Sequence, residues 1–117
     1  MDSEKAKINK IEDIEAVNKF LSGDESGFVF LEKKYKKIIE ALIRKMIHNE
    51  TDVQDLVQET FIKACNSINS YNSNYAFSSW IYRIASNHCI DFLRKKRFQT
   101  VSLTQTSQKD DDEYFID

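Results

Sequence analysis

The stretch ETDVQDLVQETFIKACNSI (residues 50–68) decides the architecture of this chain. Val53, Val57, Phe61, Ala64 and Ile68 recur every three or four residues, the interval at which side chains stack along one face of an α-helix. Polar residues fill most of the other positions. The pattern predicts an amphipathic helix over about 52–69 with one buried stripe. Thr51 followed by Gln54 has the spacing of a capping box, and Asp52 suits the positive end of the helix dipole.

Working outward, the same period recurs three times. Upstream, Phe28, Leu31, Tyr35, Ile38, Ile39, Leu42 and Met46 mark a helix over about 25–48, separated from the next by Asn49-Glu50-Thr51. Before it, Ile8, Ile11, Ile14, Val17 and Phe20/Leu21 mark a helix over about 8–21 that stops at Ser22-Gly23-Asp24, where glycine suits a left-handed terminal residue. Downstream lies the polar loop Asn69–Ala76, then a helix over about 78–97 capped by Ser78 or Ser79. This last helix turns Trp80, Ile81, Ile84, Ala85, His88 and Phe92 toward the core. With no proline and two glycines in 117 residues, few helix breakers or strand turns exist. The expected fold is all-α: a compact bundle of about four helices over 1–97. Residues 98–117, ending in Lys109-Asp110-Asp111-Asp112-Glu113, read as a flexible, disordered acidic linker or tail.

The net charge of −2 conceals a division. Residues 1–60 carry 10 Lys+Arg against 13 Asp+Glu, residues 61–97 carry 6 against 1, and residues 98–117 carry 1 against 5. A local balance of +5 between acidic flanks permits a limited polyanion contact but not the wrapping of long duplex DNA. No apolar run approaches a bilayer span, and the start MDSEKAKINK lacks the apolar segment of a secretory signal. Two cysteines make no disulfide framework, so a reducing cytoplasm is the expected compartment. His48, Cys65, His88 and Cys89 have no metal-ligand spacing, and no nucleophile–base pair or glycine-rich phosphate loop is present. The chain reads as a non-enzymatic protein without metal or cofactor.

Two surfaces go beyond what a core requires. Asp55, Gln58, Glu59 and Ile62 lie at i, i+3, i+4 and i+7, on a stripe apart from the apolar face. An isoleucine framed by carboxylates and an amide suits a helix-to-helix protein interface; a solvated face with one stray isoleucine has the same spacing. On the fourth helix Arg83, Asn87, Ile90 and Arg94 share an edge that ends in Arg94-Lys95-Lys96-Arg97. Those cations suit either phosphate contacts or simple stabilisation of a helix C-terminus. The neighbouring aromatics Tyr71, Tyr75, Phe77 and Trp80 suit stacking on unpaired bases, although Phe77 and Trp80 serve equally as staples between loop and core.

Three segments also match a known family. Residues 52–61 (DVQDLVQETF), 77–87 (FSSWIYRIASN) and 91–97 (DFLRKKR) resemble region two of bacterial RNA polymerase sigma factors, above all the extracytoplasmic-function (ECF) group. Leu21–Ser26 with Phe28 and Leu31 through Tyr35 is similar to that group's opening, so the resemblance covers about 12–97. It implies that Asp55, Gln58 and Glu59, with Ile62 beside them, meet the clamp helices of the polymerase β′ subunit. It implies that the loop Tyr71, Asn72, Ser73, Asn74, Tyr75, Ala76 and Phe77, with Trp80, captures a flipped base of the single-stranded promoter minus-ten element. Arg83 and Asn87 then approach the non-template strand, and Arg94, Lys95, Lys96 and Arg97 meet the backbone at the upstream duplex edge. The resemblance also implies an anti-sigma factor as partner, which would hold an otherwise cytoplasmic protein at the inner membrane.

The family carries a second, helix-turn-helix domain for the minus-thirty-five element, which is missing here. The expectation is a fragment that binds core polymerase and, weakly, single-stranded minus-ten DNA. Two other readings compete: a sigma-mimic decoy that sequesters an anti-sigma factor without binding DNA, and a free-standing helical DNA-binding protein with a major-groove recognition helix. The basic edge speaks against the first, and the apolar-rich fourth helix against the second.

Overall fold

In the computed structural model, which describes residues 2–103, four α-helices follow one another: α1 (Asp2–Leu21), α2 (Ser26–Met46), α3 (Glu50–Ser67) and α4 (Phe77–Leu103). A 3-10 turn over Ile68–Ser70 follows α3. Helix α2 packs against α1, α3 and α4 and so forms the centre of the bundle. The i+4 ladders Leu31–Tyr35–Ile39–Ile43 on α2 and Phe77–Ile81–Ala85–Cys89–Leu93 on α4 are buried, and the α3 stripe meets them with Val53, Leu56, Val57, Phe61 and Ala64. The all-α bundle is as expected, and the α3 stripe is buried at every residue the spacing picked out.

The ends of the elements differ from expectation for local reasons. Helix α3 is capped by Asn49, whose Oδ1 accepts from the Asp52 amide at 3.0 Å, so Thr51 and Gln54 lie inside the helix and form no capping box. Gln54 reaches instead to Glu40 and Glu50, each at 3.0 Å. Helix α4 starts at Phe77, which places Ser78 and Ser79 in its first turn rather than at its cap. It also continues through 98–103, where a flexible linker was expected. The remainder of that expected tail, 104–117, lies outside the described residues. Gly23 has φ 102° and terminates α1 as foreseen.

Four apolar residues of the expected helix stripes, Ile8, Ile11, Leu21 and Ile38, are on the surface. Ile8 and Ile11 are each 55% exposed. The buried line of α1 is Asp13, Ala16 and Val17, and at 100° per residue Ile11 stands about 160° away from Asp13. Ile38 is exposed because i+4 steps drift around a helix, so that Ile39 faces inward at this level. In compensation α1 buries a carboxylate. Asp13 accepts from the Tyr35 hydroxyl at 2.5 Å and from Lys34 Nζ at 2.8 Å, which pins α1 to α2. Burial and this bond push the Tyr35 hydroxyl far up from its ordinary range, so it remains a donor.

Gly27 permits the close approach of these two helices. A Cβ there would lie 2.2 Å from the Ala16 carbonyl oxygen and 2.9 Å from the Phe20 amide nitrogen. The α1–α2 hairpin then braces the start of α4, because the Tyr35 ring packs on Phe77 with centroids 5.5 Å apart.

Candidate functional site

Helix α3 turns Val53, Val57 and Phe61 inward, and the same 100° step leaves Asp55, Gln58, Glu59 and Ile62 exposed. Ile62 is 52% exposed, an apolar residue among polar ones on a helix that already has its own buried face. Across from Asp55 and Gln58, Glu32 and Lys36 of α2 complete a shallow cleft floored by Val57 and Phe61. Sequence reasoning overlooked Glu32 and Lys36; their i, i+4 spacing on the flank of α2 is the signal that marks them. Glu59 also joins α4, with Oε1 2.9 Å from His88 Nε2.

The second surface begins at the loop after the 3-10 turn. Asn72 Oδ1 accepts from the Asn74 amide at 2.9 Å, and the Tyr75 amide donates to the Asn72 carbonyl at 3.0 Å. The Tyr71 hydroxyl donates to the Tyr75 carbonyl at 2.6 Å, so the loop is cross-braced by its own residues. Lys10 of α1 adds a longer contact, Nζ to the Asn74 carbonyl at 3.5 Å. Burial, and more weakly the charge of Asp13, pushes the Tyr71 hydroxyl up from its ordinary range and keeps it a donor.

Burial divides the residues singled out in this loop. Asn72, Ser73, Asn74, Tyr75 and Ala76 are exposed, with Tyr75 at 68%. Phe77 is 1% exposed and cannot touch a base; it is the foundation on which the loop rests, which corrects its expected place among the stacking rings. Tyr71, Phe77 and Trp80 pack on one another with centroids 5.4–5.5 Å apart. Tyr71 and Trp80 are half-buried in this cluster, so Tyr75 offers the most open ring.

From the cluster the edge continues along α4. Trp80, Arg83, Asn87 and Arg94 fall within an arc of about 60° on a helical wheel and span about 21 Å of helix axis. Arg83, Asn87, Arg94, Lys95 and Arg97 are exposed, while Lys96 lies over the Phe92 ring at 6.0 Å. Because α4 runs on to Leu103, Arg94–Arg97 do not occupy its last turn. The dipole effect fades within one turn, so end-stabilisation does not account for this cluster.

Comparison with known proteins matches residues 31–99 to a family described as Sigma-70 region 2. The ECF RNA polymerase sigma factor SigW of Bacillus subtilis (strain 168) is 41% identical over 75 residues, covering 64% of this chain and 40% of that protein. The chain thus spans less than half the length of this curated relative. Among solved structures, an engineered region 2 of sigmaE in complex with GTAAAA superposes with TM-score 0.67 at 34% identity, over 72% of this chain and 87% of that one. CnrH in complex with the cytosolic domain of CnrY superposes with TM-score 0.60 at 28% identity, over 71% of this chain and 51% of that one.

Proposed function

The chain belongs to the sigma-70 region 2 family, as a region-two domain of the ECF kind, and from this premise we propose that it recognises one strand of promoter DNA while docked on RNA polymerase. The observation that carries the reading is Tyr75: an aromatic ring 68% exposed, on a loop braced by Tyr71 over the buried Phe77. The related region 2 of sigmaE, bound to GTAAAA, has the same fold and supports a nucleic-acid role for this face.

In this reading the loop 71–76 and the half-buried edge of Trp80 receive a base turned out of the minus-ten element. Extrusion costs a few kcal/mol of stacking and pairing. Stacking on an aromatic ring returns about 1–3 kcal/mol per base. A paired base cannot enter, so the site favours the open strand and promotes melting without a nucleotide fuel. Arg83 and Asn87 approach the same strand, and Arg94, Lys95, Lys96 and Arg97 meet phosphates on its upstream side. On the other surface Asp55, Gln58, Glu59 and Ile62 contact the β′ clamp helices of the polymerase.

Fluorescence anisotropy with single-stranded and duplex minus-ten oligonucleotides tests the DNA half. Preference for one strand, dependent on its sequence, is expected; equal and negligible binding of both would support the decoy reading instead. For the polymerase half, Asp55→Ala combined with Glu59→Ala is expected to weaken binding of core polymerase with the helical signal intact, and unchanged pull-down would reject the assignment.

The CnrH complex with the cytosolic domain of CnrY favours an anti-sigma factor as a further partner. Such a partner would hold the chain in the cytoplasm, at the membrane face. Among the described residues no helix is long and apolar enough to cross a membrane.

A further inference from the structure

His88 follows Asn87 on α4, yet its ring turns away from the basic edge toward α3. Its Nε2 lies 2.9 Å from Glu59 Oε1, a contact between residues 29 apart in sequence. The histidine side chain is 14% exposed and that of Glu59 54%. The other ring nitrogen, Nδ1, is buried without a hydrogen-bond partner.

A carboxylate only accepts hydrogen bonds, so Nε2 is the donor and must carry a proton. In the neutral ring a proton on Nε2 leaves Nδ1, which has no partner, as the unprotonated nitrogen. The tautomer that fits is the one protonated at Nε2. A glutamate on a helix surface ordinarily samples several rotamers and loses that freedom when a partner immobilises it. Glu59 is instead held before any partner arrives, by a ring that is itself locked in place by burial.

We infer that His88 is a positioning residue for the protein-binding ridge: Nε2 fixes the Glu59 carboxylate in the orientation in which it meets the polymerase. The inference rests on the reading of Asp55, Gln58, Glu59 and Ile62 as the polymerase surface. It also gives α4 two duties on two flanks, nucleic acid through Arg83 and Asn87 and the ridge through His88.

The test measures affinity for bacterial core RNA polymerase in five proteins: wild type, His88→Ala, His88→Gln, Glu59→Ala and the double variant His88→Ala/Glu59→Ala. His88→Ala is expected to weaken binding about fivefold, the scale of one half-exposed hydrogen bond to a charged group. His88→Gln, whose amide can still donate to the carboxylate, should restore most of the affinity. In the Glu59→Ala background His88→Ala should add no further loss. Binding to single-stranded minus-ten DNA should not change, and imidazole 15N shifts should report the Nε2–H tautomer. If Glu59→Ala weakens binding and His88→Ala does not, or if His88→Ala costs the same with Glu59 already removed, the inference is overturned while the ridge stands. If Glu59→Ala itself has no effect, the ridge assignment falls and takes the inference with it.

Discussion

The hydroxyl of Tyr71 donates to the carbonyl of Tyr75 at 2.6 Å, so one tyrosine of the loop holds the backbone of the other. The Tyr71 ring packs half-buried on Phe77 and Trp80, while the Tyr75 ring stands in solvent. Two residues of one type thus have opposite roles, and substitution separates them.

Tyr75→Ala removes an exposed ring and nothing from the core. Affinity for single-stranded minus-ten DNA should fall by about 1–3 kcal/mol with Tm unchanged. Tyr71→Phe keeps the ring and deletes the brace, so a smaller loss is expected, about 0.5–1.5 kcal/mol. Anisotropy titrations paired with thermal melts check both. Equal affinities for Tyr75→Ala and wild type would remove this ring from the binding site.

Gly27→Ala should damage the fold rather than the site. The added methyl would sit 2.2 Å from the Ala16 carbonyl, backbone that cannot swing aside, so α1 must move off α2. Overpacking of this kind costs about 1–3 kcal/mol. In a domain of this size each kcal/mol lowers Tm by about 4–8 °C. Thermal unfolding followed by circular dichroism measures it, and an unaltered Tm would mean that the hairpin tolerates wider spacing.

What the sequence revealed follows from what periodicity can carry. The i, i+3, i+4 rule sees which face of a helix is apolar, and on α3 it identified both the buried stripe and the exposed ridge because the two are clearly separated there. It does not see what lies opposite. Ile8 and Ile11 carry the right spacing on a flank of α1 that, among the described residues, no helix covers, and Asp13, polar and so passed over, is buried because Tyr35 and Lys34 stand across from it. Phe77 read equally well as stacking ring or staple, and only its depth beneath Tyr71 and Trp80 decides for the staple. The Glu59–His88 contact joins helices whose relative rotation no single-helix pattern encodes.

The junction of α2 and α3 makes stability depend on acid. The Arg44 guanidinium, bonded to Glu50 at 2.7 Å, and secondarily the Gln54 amide hold the Glu50 carboxyl down at about 2 from an ordinary 4.5. A carboxyl whose folded pKa is depressed stabilises the fold above its unfolded value and loses that contribution as pH falls through the folded one. The contribution of Glu50 is therefore complete above pH about 4.5 and disappears toward pH 2. Glu50→Gln should melt slightly lower than wild type at neutral pH, and the gap should close over this acid window. The pair is exposed, so added salt should shrink the gap as well. A gap that stays constant down to pH 2 would show that the ion pair contributes nothing.

The basic edge of α4 should declare itself through salt. Arg94 and Lys95 are exposed and stand well before the last turn of the helix, so removing them disturbs neither the core nor the helix dipole. Each phosphate that a protein cation neutralises releases counterions, which lowers log K by about 0.7 per unit of log salt for single strands and about 0.9 for duplex. Arg94→Ala with Lys95→Ala should therefore flatten the salt slope by up to about 2 on a minus-ten oligonucleotide that carries its upstream duplex edge. The loss should be the same for every sequence tested, because phosphate contacts carry no base identity. Tyr75→Ala should behave in the opposite way, weakening binding at every salt concentration without changing the slope. Titrations over a range of salt with both variants distinguish the two contributions. A slope unchanged in the double variant would place the phosphate contacts elsewhere on the bundle.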